Sequence, residues 1–499
     1  MQGSNTYHGP DINKILLNLS HKTINSPQLI ENIEEISIKL SKLAPNNEKD
    51  KHKYLCLSCI FGAFLGDSIG SCCEFSSESS HNHNRIFQKN SGLFRPGEIT
   101  DDSEMAISAA FAYIDNLNEN YSNIQNLLYY YYGIWRSSGP KDIGNATIQA
   151  LSYFSIKQKI TETVFNNQKV RQYNWDSLAN GFLMRISTFI TYYYYTHLKN
   201  IYDIINNFFN QKTDLTNDLS DSMIQLYCDI YIESYKNVEI THPNYENGIS
   251  SAVFTLLTLV GMVTKDAKKM IYIFNLISYS NKFIMCHANN NIINVARSTQ
   301  QKYLQIIKDI NNKTKISVHS SMGYYLHGFR LSIYFLYKYP EMGSNKYNDV
   351  YYNIMCEICD YGGDTDTNCA IVGAMIGPLI GYKNFKKSLF ETFIRFYPEK
   401  RCQFSTAFMY LYVNYLEEKI FNINQNKNMN KDNNAYYNID KSKDKNKAET
   451  EGDTNIENKK ENNDPNLSSK TPDFISKGND FKYTAFNMIL QFLNEKLDI

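Results

Sequence analysis

The chain has 499 residues, 42% of them apolar and 20% charged, with 51 basic residues against 51 acidic ones. That composition belongs to a globular protein. The zero formal net charge leaves no basic excess to argue for a nucleic-acid or anionic-membrane partner. The 39 Tyr residues, with abundant Asn, Lys and Ile, read as coding bias rather than a functional signal.

The opening MQGSNTYHGPDINK lacks the charged-then-apolar layout of a secretory signal. The longest weakly polar runs, around Gly248–Val263 and Ala370–Tyr382, are shorter than a spanning helix. The expectation is a cytoplasmic or nuclear monomer with reduced thiols and no membrane span. Residues 1–53 read as a leader followed by an amphipathic helix. Ser26-Pro27 starts that helix, Leu29, Ile33, Ile36, Leu40 and Leu43 form its stripe, and Pro45 ends it. Docking onto the main body is the expected role of the stripe.

Residues 54–421 read as one helical body, because apolar segments such as Glu104–Asn116, Ser251–Val263 and Tyr324–Tyr339 alternate with loops and no run of alternating strands appears. Two polar interruptions, residues 160–175 and 209–219, read as loop insertions. Residues 422–480 carry almost no apolar side chains, and a stretch of that kind cannot offset its ordering entropy, so disorder is predicted there. Phe486, Ile489, Leu490, Leu493 and Leu497 then recur at helical spacing, predicting a final helix over 481–499.

Two C-x-x-C pairs, Cys56/Cys59 and Cys356/Cys359, have the spacing of a zinc site. Both lie in apolar helical segments, where small buried thiols are the better reading.

Three strings carry chemistry. GAFLGDSIGSCCEF at 62–75 reads as a helix of small residues ending near Gly70. Gly62, Ala63 and Gly66 allow a neighbouring helix close, Asp67 anchors a neighbouring loop, and Glu74 lies beyond the helix end, where its carboxylate can hang over a site. PGEITDDSEMAI places Thr100, Asp101 and Asp102 at a helix start, and YGGDTDTNCAIVGAMIG places Asp364, Asp366 and Thr367 at another. One cap residue satisfies a helix end, and the second cluster exceeds that need. Carboxylates and hydroxyls without Cys or His are hard donors suited to Mg²⁺, Mn²⁺ or Ca²⁺. Two such clusters are what a two-metal hydrolytic centre requires.

In this order and at these separations the strings resemble the ADP-ribosylglycohydrolase family. SGPKDIGNAT at 138–147, SLANGFLMRIS at 177–187, ITHPN at 240–244 and GYYLHGFRLSIY at 323–334 extend the resemblance, which covers about 55–417 and neither terminal extension. It implies an all-α orthogonal multi-helix bundle with an ADP-ribose pocket over a site for two Mg²⁺ or Mn²⁺ ions. Thr100, Asp101 and Asp102 match one half of the family's metal ligands, and Asp364, Asp366 and Thr367 match the other. Glu74 matches an acidic residue that some members place beside the scissile bond, and Asp142 is the fallback for proton transfer. Ser177, Asn180 and Gly181 fall where the family contacts diphosphate or ribose, and His242 in a pocket-lining position. Ser103 and Phe182 depart from the pattern: Ser103 keeps the hydroxyl of the usual Thr, while Phe182 replaces a small residue and is expected to narrow or reshape the diphosphate path.

The implied activity is metal-dependent hydrolysis at C1″ of ADP-ribose attached to a protein or a small acceptor. The alternatives are a non-catalytic ADP-ribose-binding or structural relative and a di-metal phosphohydrolase.

Overall fold

A computed structural model describes residues 39–40, 42–43, 46–74, 94–117, 123–210, 218–287, 289–344, 346–394, 409–410 and 412–419. The expectations for the leader, for most of the 26–45 helix and for residues 422–499 lie outside these. By its contacts the chain divides into two units. The first comprises Met1–Glu417 and Lys482–Ile499. The second is Glu418–Phe481, of which only Glu418 and Lys419 are described.

The first half of the body comprises α1 (Glu48–Gly70), α2 (Asp101–Leu117), α3 (Ile124–Ser137), α4 (Asn145–Ala150), α5 (Asn167–Asn174), α6 (Ile186–Thr196), α7 (Leu198–Asn210) and α8 (Asp221–Val238). There follow α9 (Tyr245–Thr264), α10 (Ala267–Tyr279), α11 (Asn281–Met285), α12 (Asn290–Asn311), α13 (Tyr325–Lys338), α14 (Val350–Tyr361), α15 (Thr365–Ile380) and α16 (Lys387–Ile394). Among the described residues there is no strand, and the one isolated β-bridge pairs Ala179 with Tyr324.

The central contact is between α1 and α15, and glycine makes it possible. A Cβ added at Gly62 would strike the carbonyl of Gly373, one at Gly66 the carbonyl of Cys369, and one at Gly70 the backbone of Thr365 and Asp366. The pairings run in opposite directions, so the two helices are antiparallel with their backbones in contact. The end of α1 is thereby set beside the start of α15, where Thr365 Oγ1 donates to Gly70 O at 2.7 Å. Gly66→Val would force apart backbone that cannot yield. It is expected to lower stability by about 3 kcal/mol or more, read as a shift in the urea midpoint; an unchanged midpoint would contradict this packing.

Around this pair the core is built by α13, α14 and α9 against α15, by α8 against α9, and by α3 and α6 against α2. α9 is long and apolar enough to cross a membrane, but 89% of its most apolar window is buried inside the protein. Cys56 and Cys59 on α1, with Cys356 and Cys359 on α14, are buried free thiols. Among the described residues no metal-ligating group of three includes a Cys.

The insertion over 160–175 is not the plain loop expected. It holds a 3-10 turn, Ile160–Glu162, and then α5, whose first turn is capped by Asn166. Only Val170 and Asn174 of α5 are buried, so it presents no apolar stripe. For the second interruption, α7 runs on to Asn210 and Ser220 caps α8, while residues 211–217 lie outside the described set.

Candidate metal centre

Three separate segments supply carboxylates to one place. The end of α1 brings Asp67 and Glu74, the start of α2 brings Asp101 and Asp102, and the start of α15 brings Asp364 and Asp366. Asp67 is buried, and both of its oxygens accept from the Thr100 N–H, at 3.1 and 3.0 Å. It also accepts from the Ser103 N–H at 3.2 Å and from Ser103 Oγ at 2.5 Å. The carboxylate thus ties the first turn of α2 to α1, and the hydroxyl of Ser103 is used directly.

α2 and α15 meet through their acidic ends. Thr367 Oγ1 donates to Asp102 Oδ2 at 3.3 Å across 265 residues of sequence, and Thr100 Oγ1 donates to the same oxygen at 3.1 Å. Asp67, Asp102 and Asp366 each offer an oxygen within 4.8 Å of the others, as do Glu74, Asp364 and Asp366. Asp366 belongs to both triads. Asp101 belongs to neither, though it interacts electrostatically with Asp142, Asp67, Glu104 and Asp364.

The electrostatics are those of crowded, dehydrated negative charge. Burial, then Asp142 and Asp67, pushes Asp101 well above the usual carboxylate range. Burial, then Asp67 and Asp101, does the same to Asp102, and burial, then Glu74 and Asp364, to Asp366. Glu74 is pushed up to about 8 by burial and by Asp364, Asp142 and Asp67. Asp67 reaches only about 6, because the Ser103 and Thr100 hydrogen bonds oppose its burial. Buried charge of one sign is relieved by protonation or by a counter-charge, and among the described residues no Lys or Arg forms an ion pair with these six groups. Asp102 Oδ1 is buried without a hydrogen-bond partner. All the donors are oxygen, so the residues fit a hard divalent cation. Asp67, Asp102, Asp364 and Asp366 are the carboxylates that would hold such a cation, with Thr100, Thr367 and Asp101 at the margin.

The residues expected at the substrate side fall into two groups. Asn180 reaches the acidic centre, since its Nδ2 donates to Asp364 Oδ2 at 2.7 Å. Asp142 sits in the loop whose Lys141 pairs with buried Glu98, and it raises the proton affinity of Glu74. Ser177 and Gly181 flank Asn180. A Cβ at Gly181 would meet the His242 ring at 2.8 Å, so glycine is needed for this loop to lie on that ring. His242 is buried, with Nδ1 2.7 Å from Thr241 Oγ1; burial and then Arg185 push it down to about 3, so it is neutral. The Phe182 ring is 1% exposed and packs against His242 and Tyr325. It underlies the loop that carries Asn180 and Gly181, a position from which it acts on the diphosphate path through the loop's shape.

Sequence reasoning gave Asp67, within its helix, the anchoring of a neighbouring loop and missed that the same carboxylate lies near Asp102 and Asp366. The signal lay in the four-residue spacing of Gly62, Gly66 and Gly70, which marks the face on which Asp67 nearly lies.

A family model described as ADP-ribosylglycohydrolase matches residues 48–394. A protein of Acanthamoeba polyphaga mimivirus named "Putative ADP-ribosyl glycohydrolase L543" is 26% identical over 332 residues, covering 64% of this chain and 86% of the viral one. A solved structure titled ADP-ribosylglycohydrolase-related protein complex aligns with 74% of this chain and 99% of its own, at 13% identity and a TM-score of 0.45. Because the family model spans well over half of the sequence, this all-α chain belongs to the ADP-ribosylglycohydrolase family.

Proposed function

We propose that the protein hydrolyses the C1″ glycosidic bond of ADP-ribose joined to a protein side chain or a small acceptor, with two Mg²⁺ or Mn²⁺ ions. The observation that carries this reading is the pair of carboxylate triads sharing Asp366, drawn from three segments and lacking a cationic side chain among the described residues. When bound, such ions supply Lewis-acid charge that orients ribose hydroxyls and lowers the pKa of water.

The chain's own groups do the rest. Cleavage at C1″ passes through an oxocarbenium-like state, which carboxylates beside the sugar favour, and the leaving atom needs a proton. Glu74, just beyond the end of α1 and beside Asp364 and Asp366, gives that proton to the leaving atom and regains one from the attacking water. Asp142 is the nearest alternative. Asn180 holds Asp364 in place, while the stretch from Ser177 to Gly181, backed by neutral His242, offers backbone groups to the diphosphate.

The test is incubation with mono-ADP-ribosylated Arg and Ser peptides, with Mg²⁺ or Mn²⁺ and with EDTA. Free ADP-ribose released in the ion-containing reactions alone is the expected result. Tight binding of ADP-ribose without any release would make the protein a binder instead.

A further inference from the structure

Asp364 stands at the N-terminus of α15 with no side-chain cap bond of its own. Only partly buried, its side chain is free to turn from the neighbouring Asp366 and Glu74 oxygens toward solvent. The Asn180 amide opposes this by donating to Oδ2 at 2.7 Å. Asn180 opens the short 3-10 turn Asn180–Phe182, and its position depends on the irregular stretch 175–179 that leads into it.

That stretch is gripped from two sides. On one side the Asn180 N–H donates to Gly323 O at 2.8 Å and the Tyr325 N–H donates to Leu178 O at 3.1 Å, around the Ala179–Tyr324 bridge. On the other, the first turn of α9 supplies Asn247 Nδ2 to Ser177 O at 2.9 Å, and its cap residue Asn244 donates Nδ2 to Trp175 O at 2.8 Å. Glu246, between those two asparagines, joins the sides. Its Oε1 accepts from Tyr325 OH at 2.8 Å and from the Lys302 ammonium of α12. Lys302 donates in addition to Tyr324 OH at 3.0 Å, and Ser250 Oγ donates to Tyr325 OH at 3.1 Å. Glu246 is 7% exposed. A buried pair of this kind contributes little to stability, but its directional bonds fix two consecutive tyrosines.

We infer that Glu246 and Lys302, acting through Tyr324 and Tyr325, are positioning residues of the metal centre: they lock residues 323–325 against 178–180 and so hold Asn180 on Asp364. This rests on the metal-dependent reading above.

The experiment is titration calorimetry with MnCl₂ on the full chain, with circular dichroism reporting the fold. Removing a group that orients a ligand ordinarily costs about 10- to 100-fold in metal affinity. Lys302→Met is expected to weaken Mn²⁺ binding about tenfold with the helical spectrum intact, and Lys302→Arg to recover most of it. Asn180→Ala should show a similar loss, and the double variant should be no weaker than Asn180→Ala, because both changes act on one contact. A folded Lys302→Met that binds Mn²⁺ like wild type, or losses that multiply in the double variant, overturns the inference. Should Lys302→Met fail to fold, Tyr325→Phe removes one hydroxyl from the same network: about threefold weaker binding supports the role, and unchanged binding overturns it. Wild type binding neither Mn²⁺ nor Mg²⁺ defeats the metal reading itself, a result separate from those above.

Discussion

Asp366→Ala is expected to abolish divalent-ion binding and to lower turnover by about 10³-fold or more. Asp366 is the carboxylate common to both triads, so its removal takes a ligand from each ion at once. A Lewis-acid contribution of several kcal/mol is lost, and each 1.4 kcal/mol or so is a factor of ten in rate. The stability effect has the opposite sign from an ordinary buried deletion. Burial, and then Glu74 and Asp364, already disfavours the charged form of Asp366, so deleting it relieves repulsion in the ion-free protein. In EDTA the melting temperature of the variant should therefore equal or exceed that of wild type, while the rise on adding Mn²⁺ should vanish. Wild-type Mn²⁺ affinity in Asp366→Ala would remove this residue from the centre.

Glu74→Gln keeps the shape of the side chain and removes the group that gives and takes a proton. Turnover is expected to fall by roughly 10²- to 10⁴-fold, with ADP-ribose affinity nearly unchanged. Because Glu74 also offers an oxygen within 4.8 Å of Asp364 and Asp366, its two potential roles must be separated. Mn²⁺ calorimetry does so: affinity within about threefold of wild type assigns Glu74 to proton transfer, whereas a loss of about 10-fold or more assigns it to the ion. Single-turnover rates at saturating substrate then report chemistry alone. An unimpaired rate in Glu74→Gln would move proton transfer to Asp142.

The helical body was legible because its helices carry long apolar stretches, and two of them, α9 and α15, are buried on every side. The acidic strings were legible because Asp364, Asp366 and Thr367 exceed what helix capping needs, whereas Thr100, Asp101 and Asp102 read as an ordinary helix start until set beside them. What spacing along the chain did not reveal depends on how helices cross. Asp67 does anchor the start of α2, as its place in a small-residue helix suggested, but its approach to Asp366 follows from the glycine contact between α1 and α15. α5 escaped notice because one capping asparagine and a single buried aliphatic residue leave no periodic pattern. Glu246 and Lys302 are 56 residues apart, and neither belongs to a string that points to the other.

Crystals grown with Mn²⁺ and measured for anomalous scattering address the central claim most directly. The account predicts two peaks, one among Asp67, Asp102 and Asp366 and one beside Asp364 and Asp366. No peak between the starts of α2 and α15, with Asp102 and Asp366 sharing a proton instead, would contradict it.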